Sequence, residues 1–221
     1  WLSRDRGFAQ GFDRYFEFWK LRSARLPFLY TLTAPLESTG LLPSADPRAD
    51  KGSRLLTALG TRTLREVDGR VPLFLFMNLI DAHPPFQPPA PYRERFLPAE
   101  ARAQGIDPDR VSQSWTALLT GDISLSSAEQ AVLRGLNRGE IAYMDDYLGR
   151  VIAALKAAGR YDNAFIAVTS DHGCGLGENR TLGAGFDLRE EMLRIPLVVH
   201  FPGGAGAGGR LGEISAASGE V

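Results

Sequence analysis

One cysteine in 221 residues excludes an internal disulfide framework, and Cys174 by itself leaves the redox compartment open. Charge of a dominant sign is also missing, since 25 Lys and Arg face 26 Asp and Glu for a formal net charge of −1. That balance gives no electrostatic footprint for nucleic acid or an anionic membrane. No apolar run approaches the roughly 18 to 20 residues of a membrane span, and no signal peptide opens the chain. No period of about 20 to 50 residues recurs, which sets aside solenoids and propellers. An initiating methionine is absent as well. The chain opens Trp1-Leu2-Ser3 and ends Glu220-Val221 without a helix stop, so residues 1–221 are expected to be a partial catalytic domain truncated at both ends.

A hydrophobic content of 44% with 23% charged residues can bury a core of ordinary size. The patterning alternates between helix and strand. An aromatic-rich opening from Gly11 to Trp19 leads into a Pro- and Ser-bearing connection from Leu26 to Asp50. Leu56, Leu59, Thr63 and Val67 predict a helix over 53–67, stopped by Gly69. The continuous apolar run Leu73 to Ile80 predicts a strand covered on both faces, as in a parallel sheet. Early in the stretch from Pro84 to Ile123, six prolines between 84 and 98 predict an extended loop over the sheet edge, without regular helix. Ser126 and Glu129 form a capping box. Ile141, Met144, Leu148, Val151, Ile152 and Leu155 then follow at helical spacing, so a long amphipathic helix is expected up to Gly159. Further strands are expected over 163–169 and 195–201, the second tolerating Pro196 at its start. The order argues for a layered α/β fold.

Chemistry concentrates where loops leave the carboxyl ends of such strands. Asp81-Ala82-His83 follows the first, and Ser170-Asp171-His172-Gly173 follows the second. An Asp beside a His offers a carboxylate oxygen and an imidazole nitrogen to a divalent cation, and the glycine lets the backbone turn away. Read alone, an Asp-His pair in a loop is more often a turn or a helix cap than a metal site.

Together, Asp81-Ala82-His83-Pro84-Pro85-Phe86 and Thr169-Ser170-Asp171-His172-Gly173-Cys174-Gly175-Leu176-Gly177-Glu178 resemble two signature stretches of the sulfatase family within the alkaline-phosphatase-like superfamily. Gln10 to Asp13, the run Tyr143 to Gly149 and Glu190 to Leu197 match in family order, so the resemblance spans nearly the whole chain. It implies a three-layer alkaline-phosphatase-like sandwich, a mostly parallel sheet flanked by helices. It implies metal-dependent hydrolysis of sulfate esters, with Asp171 and His172 as metal ligands and His83 contacting the anionic group or the leaving oxygen. Calcium is the expected ion, with manganese or zinc as alternatives, and Asp81 is expected to orient the loop or His83. Adjacent parallel strands would bring His83 and the Asp171-His172 pair to one crevice. The expected substrate is a small-molecule or glycan sulfate ester, and the family favours a periplasmic or extracellular location. Oligomeric state is not readable.

The pattern also departs from the family. Its nucleophile lies in a C-x-P-x-R setting that these 221 residues do not contain, and is expected upstream of Trp1, so the fragment by itself is expected to be inactive. Cys174 lacks the Pro and Arg of that setting; Thr33-Ala34-Pro35-Leu36-Glu37 has Glu where the arginine belongs. Asp145 and Asp146, neighbours on a helix, point about 100° apart and are read as solvated or packing acids. His200 is read as structural. Between Gly177 and Gly185, where the family carries a sulfate-contacting lysine, only Arg180 offers positive charge, and its guanidinium suits sulfate or phosphate oxygens. Alternatives are therefore a phosphodiesterase, phosphonate monoester hydrolase or phosphoglycerol transferase of the superfamily, or a non-catalytic module that keeps the fold.

Overall fold

A computed structural model of the chain describes residues 3–17, 50–178, 182–183 and 188–204. Arg180, the Thr33 to Glu37 stretch and Trp19 lie outside the described residues.

Helix α1 (Ser53–Glu66) matches the predicted one within a residue. Its last turn is closed from a distance: Arg160 donates to the carbonyls of Val67 at 3.0 Å and Asp68 at 2.7 Å, cationic groups placed where the helix dipole favours them. The run 73–80 makes no ladder with any described residue, which corrects the expected strand. One of its faces packs on α1, because a Cβ added at Gly60 would lie 3.0 Å from Met77 Sδ. The opposite face is open, with Phe74 at 74% exposure. Covering both faces would take a second layer that the described residues do not supply.

The proline-rich stretch is also not a plain loop. It folds into four short helices: α2 (Tyr92–Phe96), α3 (Ala99–Ala103), α4 (Pro108–Gln113) and α5 (Trp115–Thr120). The reason is where the prolines sit. Pro91 and Pro98 precede first turns and Pro108 occupies one, positions where the missing N–H is no loss and the fixed φ helps initiation.

The long helix α6 (Ser127–Ala157) begins at the predicted capping box, with Ser126 N donating to Glu129 Oε2 at 2.9 Å and Glu129 N to Ser126 Oγ at 3.3 Å. Its buried face differs from the expected one. Ile141 is exposed, and the core side carries Leu133, Leu136, Glu140, Tyr143 and Tyr147. Val132, Leu133 and Leu136 of the helix form the hydrophobic cluster with Phe86, Ala101 and Val111. The tilt of the face follows from its glycines, which let the proline-rich segment approach α6 at backbone distance. A Cβ on Gly135 would lie 2.5 Å from the Phe96 carbonyl oxygen, and one on Gly139 would lie 2.8 Å from Pro88 Cγ.

After α6 the chain enters β1 (Ile166–Thr169), a two-stranded β2 (Gly175–Leu176) and β3 (Leu182–Gly183) hairpin, α7 (Glu190–Leu193) and β4 (Leu197–His200). β1 and β4 pair antiparallel, from Ile166 opposite His200 to Thr169 opposite Leu197, so this pair is not one of the parallel neighbours expected to make up most of the sheet. Leu197 and Val198 are exposed, so β4 is not covered on both faces by described residues. No helix among the described residues is long and apolar enough to cross a membrane.

The close approach at α6 predicts opposite signs for two Gly→Ala changes. Gly149 has open space around it and should gain up to about 1 kcal/mol from alanine's helix propensity. Gly135→Ala should lose about 1–3 kcal/mol to overpacking against Phe96. Urea melts of both variants test this, and a stabilised Gly135→Ala would contradict the packing described.

Candidate active site

Two loops carry the residues singled out by the sequence, and α6 supports both. The first leaves the extended segment at Asp81. Its turn is closed by His83 N donating to Ile80 O at 3.0 Å. Asp81 is buried and turned away from solvent, accepting from Lys51 N at 3.0 Å, Ser53 N at 3.2 Å and the Ser53 hydroxyl. It thus ties the loop to the first turn of α1, where a carboxylate meets unsatisfied N–H groups and the positive end of the dipole. The expectation that Asp81 orients the loop matches this geometry. His83 itself is exposed, with Nδ1 2.6 Å from Pro84 O. A carbonyl partner requires the proton on Nδ1 and, in the neutral ring, leaves the lone pair on Nε2.

Beneath this loop lies a charge cluster that the sequence reading missed. Lys51 Nζ donates to Glu140 Oε1 at 2.6 Å and Oε2 at 2.8 Å, to the Asp81 carbonyl at 2.9 Å and to the His83 carbonyl. Glu140 Oε1 also accepts from Gln87 N at 2.7 Å. Burial pushes the Glu140 carboxyl up to about 7 against the pull of Lys51, lowers the Lys51 ammonium, and raises Asp81. A sequence signal existed: Glu140 interrupts the helical stripe Leu133, Leu136, Tyr143, Tyr147, where a solvated carboxylate would not belong.

The second loop starts directly after β1. The structure brings Asp171 and His172 together, with Oδ2 and Nε2 3.6 Å apart, and leaves them 84% and 50% exposed. Their other atoms are engaged. Asp171 Oδ1 accepts from His172 N at 3.0 Å, and His172 Nδ1 lies 2.8 Å from Gly173 O. Gly173 owes its place to close approach, since a Cβ there would overlap the Glu191 carbonyl oxygen, and its N–H donates to Met192 O at 2.8 Å. The far end of the loop is held by Glu178, which accepts from Leu176 N at 2.6 Å and from Arg134 of α6 at 2.8 Å.

The arrangement fits a divalent cation in part. Two ligands each about 2.3 Å from one ion at roughly a right angle lie about 3.3 Å apart, near the observed separation. The carbonyl on Nδ1 is the usual outer partner of a metal-ligating imidazole. Among the described residues no group of three or more His, Cys, Asp or Glu completes a site. The parallel ladder expected to join His83 to this pair is not formed among the described residues; both loops hang from α6 instead.

The demoted residues have ordinary surroundings. Cys174 packs against the core cluster, and burial pushes its thiol up, away from a nucleophile's range. Asp146 accepts from the Tyr92 hydroxyl, which raises Tyr92 to about 12, and Asp145 is exposed. His200 stacks on Tyr161 at 4.2 Å, with Nδ1 3.0 Å from Ala164 O. A shallow concavity lined by Arg14, Phe16, Leu59, Arg62, Thr63 and Glu66 contains none of the predicted site residues. Its charges already pair with one another, Arg14 and Arg62 both on Glu66.

Known proteins resemble this chain along most of its length. The family model described as Sulfatase matches residues 1–218. A multifunctional alkaline phosphatase superfamily protein, PehA, of Trinickia caryophylli is 32% identical over 71% of this chain and 34% of its own length. An arylsulfatase of Clostridium perfringens is 25% identical over 63% of this chain and 30% of its own. The chain therefore spans about a third of the curated relatives it matches. Among solved structures, the phosphonate monoester hydrolase of Agrobacterium radiobacter superposes with a TM-score of 0.55 at 29% identity, over 68% of this chain and 33% of that one.

Because Glu140 is raised from its ordinary 4.5 to about 7, the folded state holds a proton in that interval that the unfolded state releases. Its contribution to stability is present below about pH 4.5 and is lost as pH rises through about 7. Thermal midpoints taken from about pH 5 to pH 7.5 should fall more steeply in the parent than in Glu140→Gln. Parallel slopes would contradict the burial of this carboxyl.

Proposed function

The chain belongs to the sulfatase family, and from that premise we propose that it forms part of a metal-dependent hydrolase of anionic esters, with sulfate esters as the substrate class. One observation carries the reading: Asp171 Oδ2 and His172 Nε2 lie 3.6 Å apart, while the remaining polar atoms of both side chains are already engaged. Asp171 and His172 would hold one divalent ion, calcium by the hardness of a carboxylate site, with manganese or zinc compatible with the imidazole. When bound, such an ion supplies Lewis-acid charge neutralisation and alignment of the ester.

The chain's own groups supply the rest of what it contributes. In the imidazolium form His83 donates from Nδ1 to Pro84 O and from Nε2 to an ester oxygen, steadying negative charge on the leaving group. Arg180 would provide the planar cation for the anionic group in place of the family lysine. The 221 residues hold no C-x-P-x-R pattern, so these residues bind and polarise an ester without supplying that nucleophile.

A second reading is favoured by the 29% identical phosphonate monoester hydrolase structure and by the missing lysine: a phosphonate monoester or phosphodiester in place of a sulfate ester. Assays of the intact gene product with an aryl sulfate, an aryl phosphonate and a phosphodiester separate the two. His83→Ala should lower kcat/KM by on the order of 10²-fold in whichever assay responds.

The 221-residue chain alone should turn over none of these esters and should bind Mn²⁺ weakly, since two ligands are few for a hard cation. Asp171→Ala and His172→Ala should each weaken Mn²⁺ binding, followed by electron paramagnetic resonance, by on the order of tenfold or more. Unchanged affinity in both would remove the metal assignment. Turnover by the chain alone would remove the assignment of the nucleophile to a C-x-P-x-R setting.

A further inference from the structure

A buried ion pair is seldom needed for stability. Removing two charges from water costs about as much as their attraction returns, and an apolar pair of similar volume is commonly as stable or more so. Lys51 and Glu140 nevertheless occupy the interior beneath the Asp81 to Gln87 loop, with side chains 15% and 1% exposed. What an apolar pair could not supply is their set of main-chain partners. Lys51 Nζ takes the carbonyls of Asp81 and His83, and Glu140 Oε1 takes the amide of Gln87. These groups bracket His83 on both sides. Lys51 is itself fixed at the start of α1, where its N–H donates to Asp81 Oδ1 at 3.0 Å, and Glu140 is fixed on α6. The His83 ring is exposed, and among the described residues its close polar contact is the neighbouring Pro84 carbonyl, a weaker restraint than those on Lys51 and Glu140.

We infer that Lys51 and Glu140 are positioning residues: their pair fixes the main chain on either side of His83 and so aims its Nε2 at the ester. The inference rests on the reading of His83 given above. Its physical content, that the pair sets the geometry of the His83 turn, is measurable without turnover.

The discriminating variant is Lys51→Met with Glu140→Leu, which replaces the ion pair by an apolar pair. Its thermal midpoint should match or exceed that of the parent, whereas Lys51→Met alone leaves a buried carboxylate without its cation and should melt lower. In the double variant the His83 amide, which closes the turn on Ile80 O, should exchange with solvent on the order of tenfold faster or more, while amides of α6 keep their protection. Three histidines make the ring signals separable, and the His83 Cε1–H resonance should shift or split while those of His172 and His200 stay in place. A double variant with parent stability, parent exchange at His83 and an unmoved His83 resonance would overturn the inference, because the pair would then be structural only. A double variant that fails to fold would overturn it equally, since the pair would then be required for the fold itself. If Asp171→Ala and His172→Ala leave metal binding untouched while His83 responds as described, the proposed function fails and the positioning role stands.

Discussion

The contact between Lys51 and Glu140 joins three parts of the chain that are distant in sequence: the start of α1, the turn at His83 and the middle of α6. Without it the Asp81 and His83 carbonyls would lack their donor, and the buried Glu140 carboxylate would lack its cation. The loop would then turn those carbonyls to solvent and leave its course over α6. Gly135 and Gly139 serve the same arrangement from the apolar side, since each removes a Cβ that would hold the proline-rich segment away from the helix. Roughly 9 Å along the axis from Glu140, Arg134 reaches Glu178 and anchors the loop that follows Asp171 and His172. One helix therefore anchors both loops.

Much of this could be read from residue patterns. The Ser126 and Glu129 capping box marked the start of α6 to the residue, because a cap is a local interaction that needs no tertiary context. The Asp-His pair after the strand was legible for a similar reason, its residues being adjacent and its loop beginning where β1 ends. Periodicity misled where partners come from afar. The apolar stripe through Ile141 and Met144 was as regular as the one that is buried, and the choice between them is made by glycines and a carboxylate that match α1 and the proline-rich segment. Lys51, in a short polar stretch beside Asp50 and Gly52, carried no mark of burial. Prolines at 91, 98 and 108 announced breaks in the chain, and the structure uses them as helix starts.

The family assignment and the local geometry support each other at different levels. Membership in the sulfatase family accounts for the order of the two signature stretches and for an alkaline-phosphatase-like α/β fold. The geometry adds what membership does not specify: engaged inner atoms on Asp171 and His172, a fixed Nδ1 contact on His83, and a buried ion pair beneath it. Phe74 and Phe76, and Leu197 and Val198 of β4, are exposed among the described residues.

The central proposal is that Asp171 and His172 hold one divalent ion and that His83, on the other loop anchored by α6, borders the same site. Titrating the protein with Mn²⁺ and following the three histidine ring resonances tests it directly, because a bound paramagnetic ion broadens nearby protons most. His172 and His83 should broaden together at the lowest Mn²⁺ levels, ahead of His200, which pairs with Ile166 at the opposite end of β1. Broadening of His172 with His83 no more affected than His200 would show that the two loops do not share a site, and would contradict the account.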